Sequence, residues 1–262
     1  MTRNKLLAPV RPNLGLEAEF RRRLVALVEE MHRSFCYWVT AQWNANPPEM
    51  AADESPAAGL RKAMKELADR WQSRFDDAAL DLADHFAKDV VDRSDRTLRA
   101  ILKKAGFSVR FKMTRTMNDV LSATIGEQVG LIRSIPAAYL TQVEGMVLRS
   151  VTTGRDLKQL SDDLREQLGV AKRRAALIAR DQNNKATATL TRVRQTELGV
   201  IEAVWVHSGG GKHPRPSHLK AGRNKVRYDV KKGWYDPDEG EYIFPGELIN
   251  CRCVSRSVIP GF

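Results

Sequence analysis

Three of the chain's five histidines and two of its three cysteines fall between residues 207 and 253: His207, His213, His218, Cys251 and Cys253. Two thiolates with one or two imidazoles form a donor set that zinc takes in tetrahedral geometry. The spacing Cys251-x-Cys253 lacks the two-residue gap of zinc ribbons and fingers, so the pair serves one metal only where the backbone curls around it. On this reading the ligands are His218, Cys251 and Cys253 with His207, and zinc is the one cofactor the residues point to. A loop-rich segment with few aliphatic anchors would gain folding free energy from such an ion. Two other accounts use the same side chains. Two reduced cysteines in a strand, with histidines bonded to loops, need no metal. Cys251 or Cys253 beside His218 would instead make a nucleophile and its base, as in a thiol enzyme.

Other catalytic signatures are scarce. Ser217 and His218 are adjacent, but neighbours along a chain need not face each other. There is no nucleophile elbow, no His-Glu-x-x-His and no phosphate-binding glycine pattern. Gly209-Gly210-Gly211-Lys212 lacks the Ser/Thr and the spacing of a P-loop and reads as a flexible loop. No catalytic residue is assigned, and the chain is expected not to be an enzyme. Its formal net charge of +11 is suited to polyanions: nucleic acid, acidic headgroups or an acidic protein surface. The candidate contacts with DNA or a protein partner are Arg173, Arg174 and Arg180 in a helix, and Lys220, Arg223, Lys225 and Arg227 near Tyr228 and Trp234. No helix-turn-helix, zinc-finger or RNA-binding signature accompanies them, so any contact with DNA is expected to be nonspecific. A solvated basic face is the simpler account of the same residues.

The elements that must position these residues read as α+β, with mainly helical N-terminal and middle regions and a small, loop-rich, β-containing C-terminal module. The hydrophobic share of 42% and charged share of 29% fit a globular chain of 262 residues. Phe20, Leu24, Leu27, Val28, Met31, Phe35 and Trp38 recur near a 3.6-residue period and predict a helix over 17–43. A loop is expected over 44–56, then helix over 57–104, stopped by Gly106. Residues 107–113 alternate as a short strand or an extended linker. The middle predicts a helix over 118–135, a second opened by Pro136, a turn at Gly154, and a third capped by Asp156 and closed by Gly169. A last helix over 170–198 ends at Gly199. Within it, the polar run from Arg180 to Lys185 cannot all face one core and reads as a mostly exposed turn, or else as a polar contact surface for a partner subunit. Cys36 reads as a buried small hydrophobe. Beyond residue 200 come a strand over 200–207, hairpin turns over 228–244, a turn at Pro245-Gly246 and a final strand after Cys253. The organisation expected is a helical docking region over 1–113, a helical part over 114–199 and the His/Cys module over 200–262.

The order Trp205-x-His207, Pro214-Arg215-Pro216-Ser217-His218, Gly222, Pro245-Gly246-Glu247 and Asn250-Cys251-Arg252-Cys253 resembles the C-terminal module of the phage Mu F-like minor head proteins, the phage head morphogenesis family. The helical lead-in is similar too: Gly154-Arg155-Asp156-Leu157 with Leu160, Arg173-Arg174-Ala175, the stretch from Ala179 to Lys185, and Arg194-Gln195-Thr196-Glu197-Leu198-Gly199. The likeness covers residues 115–260. It implies a minor component of a tailed-phage head that associates with the portal vertex and acts in procapsid assembly or in the packaging or ejection of DNA. The implied partners are the portal protein and the major capsid or scaffolding protein, with packaged DNA as a nonspecific contact and no membrane. The implied location is the virion, reached from the host cytoplasm, since 1–12 has no apolar stretch of the kind a secretory signal needs. Related modules occur joined to toxin domains, and no such cargo is expected here. The alternatives are a zinc-dependent or thiol/His enzyme, toxin- or nuclease-like, and a nonspecific DNA-binding head protein.

Overall fold

A computed structural model describes residues 4–45, 54–152, 157–211 and 213–260. The helical periodicity is realised as four long helices: α1 (Leu14–Ala45), α2 (Glu54–Lys104), α3 (Arg115–Thr152) and α4 (Leu157–Glu197). The remainder holds β1 (Lys5–Leu6), β2 (Glu202–Val206), α5 (Pro216–Arg223), β3 (Arg227–Asp229), β4 (Trp234–Asp236), β5 (Glu241–Ile243) and β6 (Val254–Ile259). The fold is α+β.

Several punctuation marks act differently from expectation. Helix α3 runs straight through Pro136 instead of restarting there. The missing N–H costs one intrahelical bond, which the buried side chains on either side, Ile132, Ile135 and Tyr139, outweigh. Helix α4 likewise continues through Gly169, because a glycine without a left-handed backbone lowers helix propensity but does not end a helix. Residues 107–113 are the extended linker, not a strand. Of the loop expected over 44–56, residues 44–45 belong to α1 and 54–56 to α2; 46–53 lie outside the described residues, as do Gly154, Asp156 and Lys212. Gly199 does end α4. Its φ of +72° is reached without a Cβ penalty, and it turns the chain so that the Val200 N–H donates to the Gln195 carbonyl at 2.9 Å.

Two compact units are built from non-consecutive stretches. One comprises Ala18–Ala83 and Gly126–Ala179. Its core takes the predicted stripe, with Leu24, Val28, Met31 and Phe35 buried together with Phe75, Ile132 and Tyr139. Tyr139 stands edge-on to Phe35 at 5.8 Å, and its hydroxyl lies 2.9 Å from His32 Nδ1. Cys36 is half-buried rather than fully buried, with Sγ 3.4 Å from His32 Nε2.

The other unit comprises Met1–Glu17, Asp84–Ile125 and Arg180–Phe262. Its four-stranded sheet has the order β1-β6-β2-β3, each pair antiparallel, and β4 and β5 form a separate hairpin. The edge strand β1 was not foreseen, because two residues carry no periodicity. Leu7 and Val10 just beyond it pack on Leu98 and Leu102 of α2. Arg194 is 3% exposed and makes two bonds to Asp95, at 2.9 and 2.7 Å, one to Glu197 at 2.8 Å and one to the Lys112 carbonyl at 2.7 Å. Those bonds tie α4 to α2 and to the extended linker. Removing one partner of a buried pair leaves the other charge uncompensated. Asp95→Ala is therefore expected to destabilise the full chain by about 3 kcal/mol, the low end of that class because Glu197 remains. Chemical denaturation checks it, and an unchanged midpoint would show that the pair carries no net stability.

Candidate functional site

Strand β2 is paired on both sides, and Trp205 on it is fully buried. The rings of His218, Trp234 and Tyr228 stand edge-on to the indole at 5.0, 5.2 and 6.2 Å. His218 comes from α5, a helix that sequence reasoning missed because eight residues show too little periodicity. The available signal was Pro216, which occupies the first helical turn where no N–H is required. The Ser217 N–H donates to Asp238 Oδ2 at 3.1 Å, and the Ser217 hydroxyl donates to Asp236 Oδ2 at 2.9 Å. The start of α5 is thus held by the β4–β5 turn.

Cys251 and Cys253 lead into β6. Residues two apart on an extended chain project to the same side, which is why a one-residue gap brings both thiols to one imidazole. His218 Nδ1 lies 3.5 Å from Cys251 Sγ and 3.8 Å from Cys253 Sγ. His218 Nε2 lies 3.3 Å from Asp236 Oδ2. The three donor atoms of His218, Cys251 and Cys253 are all within 4.8 Å of one another, and the three residues are buried. Asp236 is wholly buried. The hydrogen bond from the Cys253 thiol, helped by His218 and by the backbone at Cys253 and Gly246, lowers the Cys251 thiol from its ordinary value against the effect of burial. Its partner Cys253 moves up, by its bond to Cys251 and by burial. Chemically, two thiols and an imidazole nitrogen at this range can ligate a soft or borderline cation, or act as a thiol with its base.

The position of Cys251 depends on the polar run of α4, which corrects the sequence reading. Asp181, Gln182, Asn183 and Asn184 are not an exposed turn but a buried helix face. Asp181 Oδ1 accepts the Asn250 N–H at 2.7 Å, and Arg180 Nη2 donates to Asn250 Oδ1 at 2.9 Å. Asn183 Nδ2 donates to the Asn13 carbonyl at 3.0 Å. Loops facing the run meet part of its hydrogen bonding, while Asn183 Oδ1 and Asn184 Nδ2 are buried without a hydrogen bond among the described residues. Asn250 itself has a φ of +61°, a left-handed conformation that asparagine tolerates better than most residues.

Of the four ligands expected from sequence, three converge and His207 does not join them. Its Nδ1 accepts the Gly209 N–H at 3.0 Å. His207 and the exposed His213 line a cleft of about 270 Å3 that the three buried donors also line. The basic candidates separate. Arg173 and Arg174 are exposed on α4, with Arg174 bonded to Ser134 Oγ at 2.7 Å. Arg180 is committed to Asn250. Lys220, Arg223, Lys225 and Arg227 are exposed in and after α5, with Arg227 paired to Glu202 at 2.7 Å. Arg223, Lys225 and Arg227 line a second cleft of about 510 Å3 together with Arg256, which sequence reasoning did not single out.

Gly222 sets the fit of α5 on β2. A Cβ there would lie 2.5 Å from His207 Cβ and 2.9 Å from the His207 backbone nitrogen. Backbone cannot retreat as a side-chain tip can, so Gly222→Ala is expected to cost about 2 kcal/mol as an overpacking change. The variant should also lose order around His218, read as altered histidine ring signals by NMR. Stability and spectrum unchanged from wild type would mean that the helix and strand are not held at this distance.

Residues 141–256 match the family model described as Phage Mu protein F like protein. The matched stretch contains Asp181, His207, His218, Asp236, Cys251 and Cys253. A protein of Haemophilus influenzae, described as uncharacterized, is 28% identical over 152 residues, which is 58% of this chain. The alignment covers 32% of that relative, so the chain spans about a third of its length. No solved structure matches. Over residues 141–256, then, the chain is similar to the phage Mu protein F-like family.

Proposed function

We propose that this chain is a minor head protein of a tailed phage, built into the head during procapsid assembly. The observation that carries the reading is the family match over 141–256, which supports a role in phage head morphogenesis. On this reading the chain is an assembly component rather than an enzyme, and it works in the virion. Its partners are the portal protein and the major capsid or scaffolding protein. Among the described residues no helix is long and apolar enough to cross a membrane. Quantitative mass spectrometry of purified particles and procapsids tests the assignment. A few to a dozen copies per particle are expected, the stoichiometry of a portal-vertex component. Absence from both kinds of particle would overturn it.

Packaged DNA is the further partner we propose. The net charge of +11 and the exposed Lys220, Arg223 and Lys225 support nonspecific phosphate contacts. Each phosphate neutralised adds about 0.9 to the slope of log affinity against log salt. Reversing Arg223 and Lys225 to Glu in the full chain is expected to weaken duplex binding for every sequence tried and to lower that slope by about 2. The same slope in the variant and the wild type would remove this face from the DNA contact.

A further inference from the structure

We propose that His218, Cys251 and Cys253 bind one zinc ion, with Asp236 orienting the imidazole and the fourth coordination position facing the cleft. This inference does not depend on the head assignment. It rests on the spacing of the donors, on what stands behind the histidine, and on the donor chemistry.

Spacing comes first. With Zn–S near 2.3 Å and Zn–N near 2.0 to 2.1 Å, a tetrahedral site has S···N edges of about 3.6 Å and an S···S edge of about 3.8 Å. The two S···N separations here are 3.5 and 3.8 Å, both to the same nitrogen, Nδ1. All three donors fall within 4.8 Å of one another, close enough for one ion to gather them with small side-chain adjustments. The same separations are those of thiol–imidazole contacts, and the feature that favours an ion is that both sulfurs share one ring nitrogen.

A carboxylate stands behind the imidazole. A metal-bound histidine typically gives its other ring N–H to a carboxylate, which fixes the tautomer and raises the basicity of the ligating nitrogen. Here Nε2 lies 3.3 Å from Asp236 Oδ2, at ion-pair distance but without forming a hydrogen bond, so binding of the ion would have to turn the ring N–H onto the carboxylate. Asp236 is itself held, by the Ser217 hydroxyl at 2.9 Å and the Asp238 N–H at 3.0 Å. A wholly buried carboxylate that takes two hydrogen bonds and stands behind a ring is the outer half of a carboxylate–histidine–metal arrangement.

Donor chemistry selects the ion. Two sulfurs and one nitrogen are too soft for magnesium or calcium and suit zinc. The three residues also line the cleft of about 270 Å3, so the vacant vertex of the tetrahedron opens there and takes water or a small donor ligand. The ion would cross-link α5 to the segment before β6, elements 33 residues apart in the chain. Helix α5 has no large buried apolar anchor of its own, burying Ser217, His218 and Ala221.

The test uses the full chain, purified without chelator, with zinc measured by plasma mass spectrometry. About one zinc per chain is expected. Chelation should lower the melting temperature, and added zinc should restore it. Cobalt(II) in place of zinc should give the intense visible bands of a tetrahedral thiolate site. Cys251→Ser with Cys253→Ser should abolish uptake. In case that variant does not fold, Asp236→Asn keeps all three donors and should weaken zinc affinity 10- to 100-fold. An unchanged affinity would remove the carboxylate's role. Zinc should also protect Cys251 and Cys253 of the native chain from alkylation. A wild-type chain that takes up no zinc in equilibrium dialysis, with both cysteines alkylated equally fast in the presence and absence of the ion, would overturn the site. A metal-free chain counted in purified heads would do the same while leaving the head assignment intact.

Discussion

Helix α4 buries Asp181, Gln182, Asn183, Asn184, Arg194 and Gln195 beside Ala186, Leu190 and Val193, and apolar side chains cannot meet those polar groups, a constraint that organises the C-terminal unit. Each buried polar group left unpaired would cost a kilocalorie or more, roughly 1–3 kcal/mol, so chain with hydrogen-bonding groups must be brought to it. The groups brought are backbone and loop: the Asn13 carbonyl, the Asn250 N–H and side chain, the Lys112 carbonyl, and the hydroxyls of Ser255 and Ser257. Three separate regions of the sequence are thereby fixed on one helix, and the last of them carries Cys251 and Cys253.

The consequence for the site is rigidity where the sequence alone would predict looseness. Asn250 is pinned by Asp181 and Arg180 one residue before Cys251, and Gln195 holds Ser255 two residues after Cys253. The cysteines are therefore clamped from both sides by α4. His218 is clamped from the other direction, by Ser217 on Asp236 and by the close fit of Gly222 on His207. No single element builds the cluster. It forms where the helix, the sheet and the β4–β5 turn meet inside one unit.

Much of this was legible in the sequence, and what was not has identifiable causes. The apolar stripe of α1 and the αL stop at Gly199 follow from period and backbone sterics, and both were readable. The grouping of His218 with Cys251 and Cys253 followed from residue chemistry. The role of Asp236 did not, because one aspartate among many in an acidic turn carries no mark until the fold places it behind the imidazole. The run from Arg180 to Lys185 was misread for a related reason: polarity predicts exposure unless a polar partner is known, and the partners Asn13 and Asn250 lie 170 and 69 or more residues away. Pro136 and Gly169 were read as ends because local propensity is a weak term that packing along α3 and α4 overrides. His207 was grouped with the ligands by proximity along the chain, whereas β2 delivers it to the rim.

The geometry also discriminates between the two chemistries open to the cluster. A thiol enzyme requires one nucleophile, one base and one group that orients the base, and Cys251, His218 and Asp236 supply that line. It leaves Cys253 unexplained, with a second sulfur 3.8 Å from the same Nδ1 that the nucleophile must use. A thiol there competes for the base and crowds the approach of an acyl group. A zinc site uses both sulfurs, the nitrogen and the carboxylate with none left over. It also gives a reason for burying all four together beside the apolar cluster of Trp205, Tyr228, Val230 and Ile243. The arrangement that accounts for every buried reactive group of the cluster is the proposed metal site.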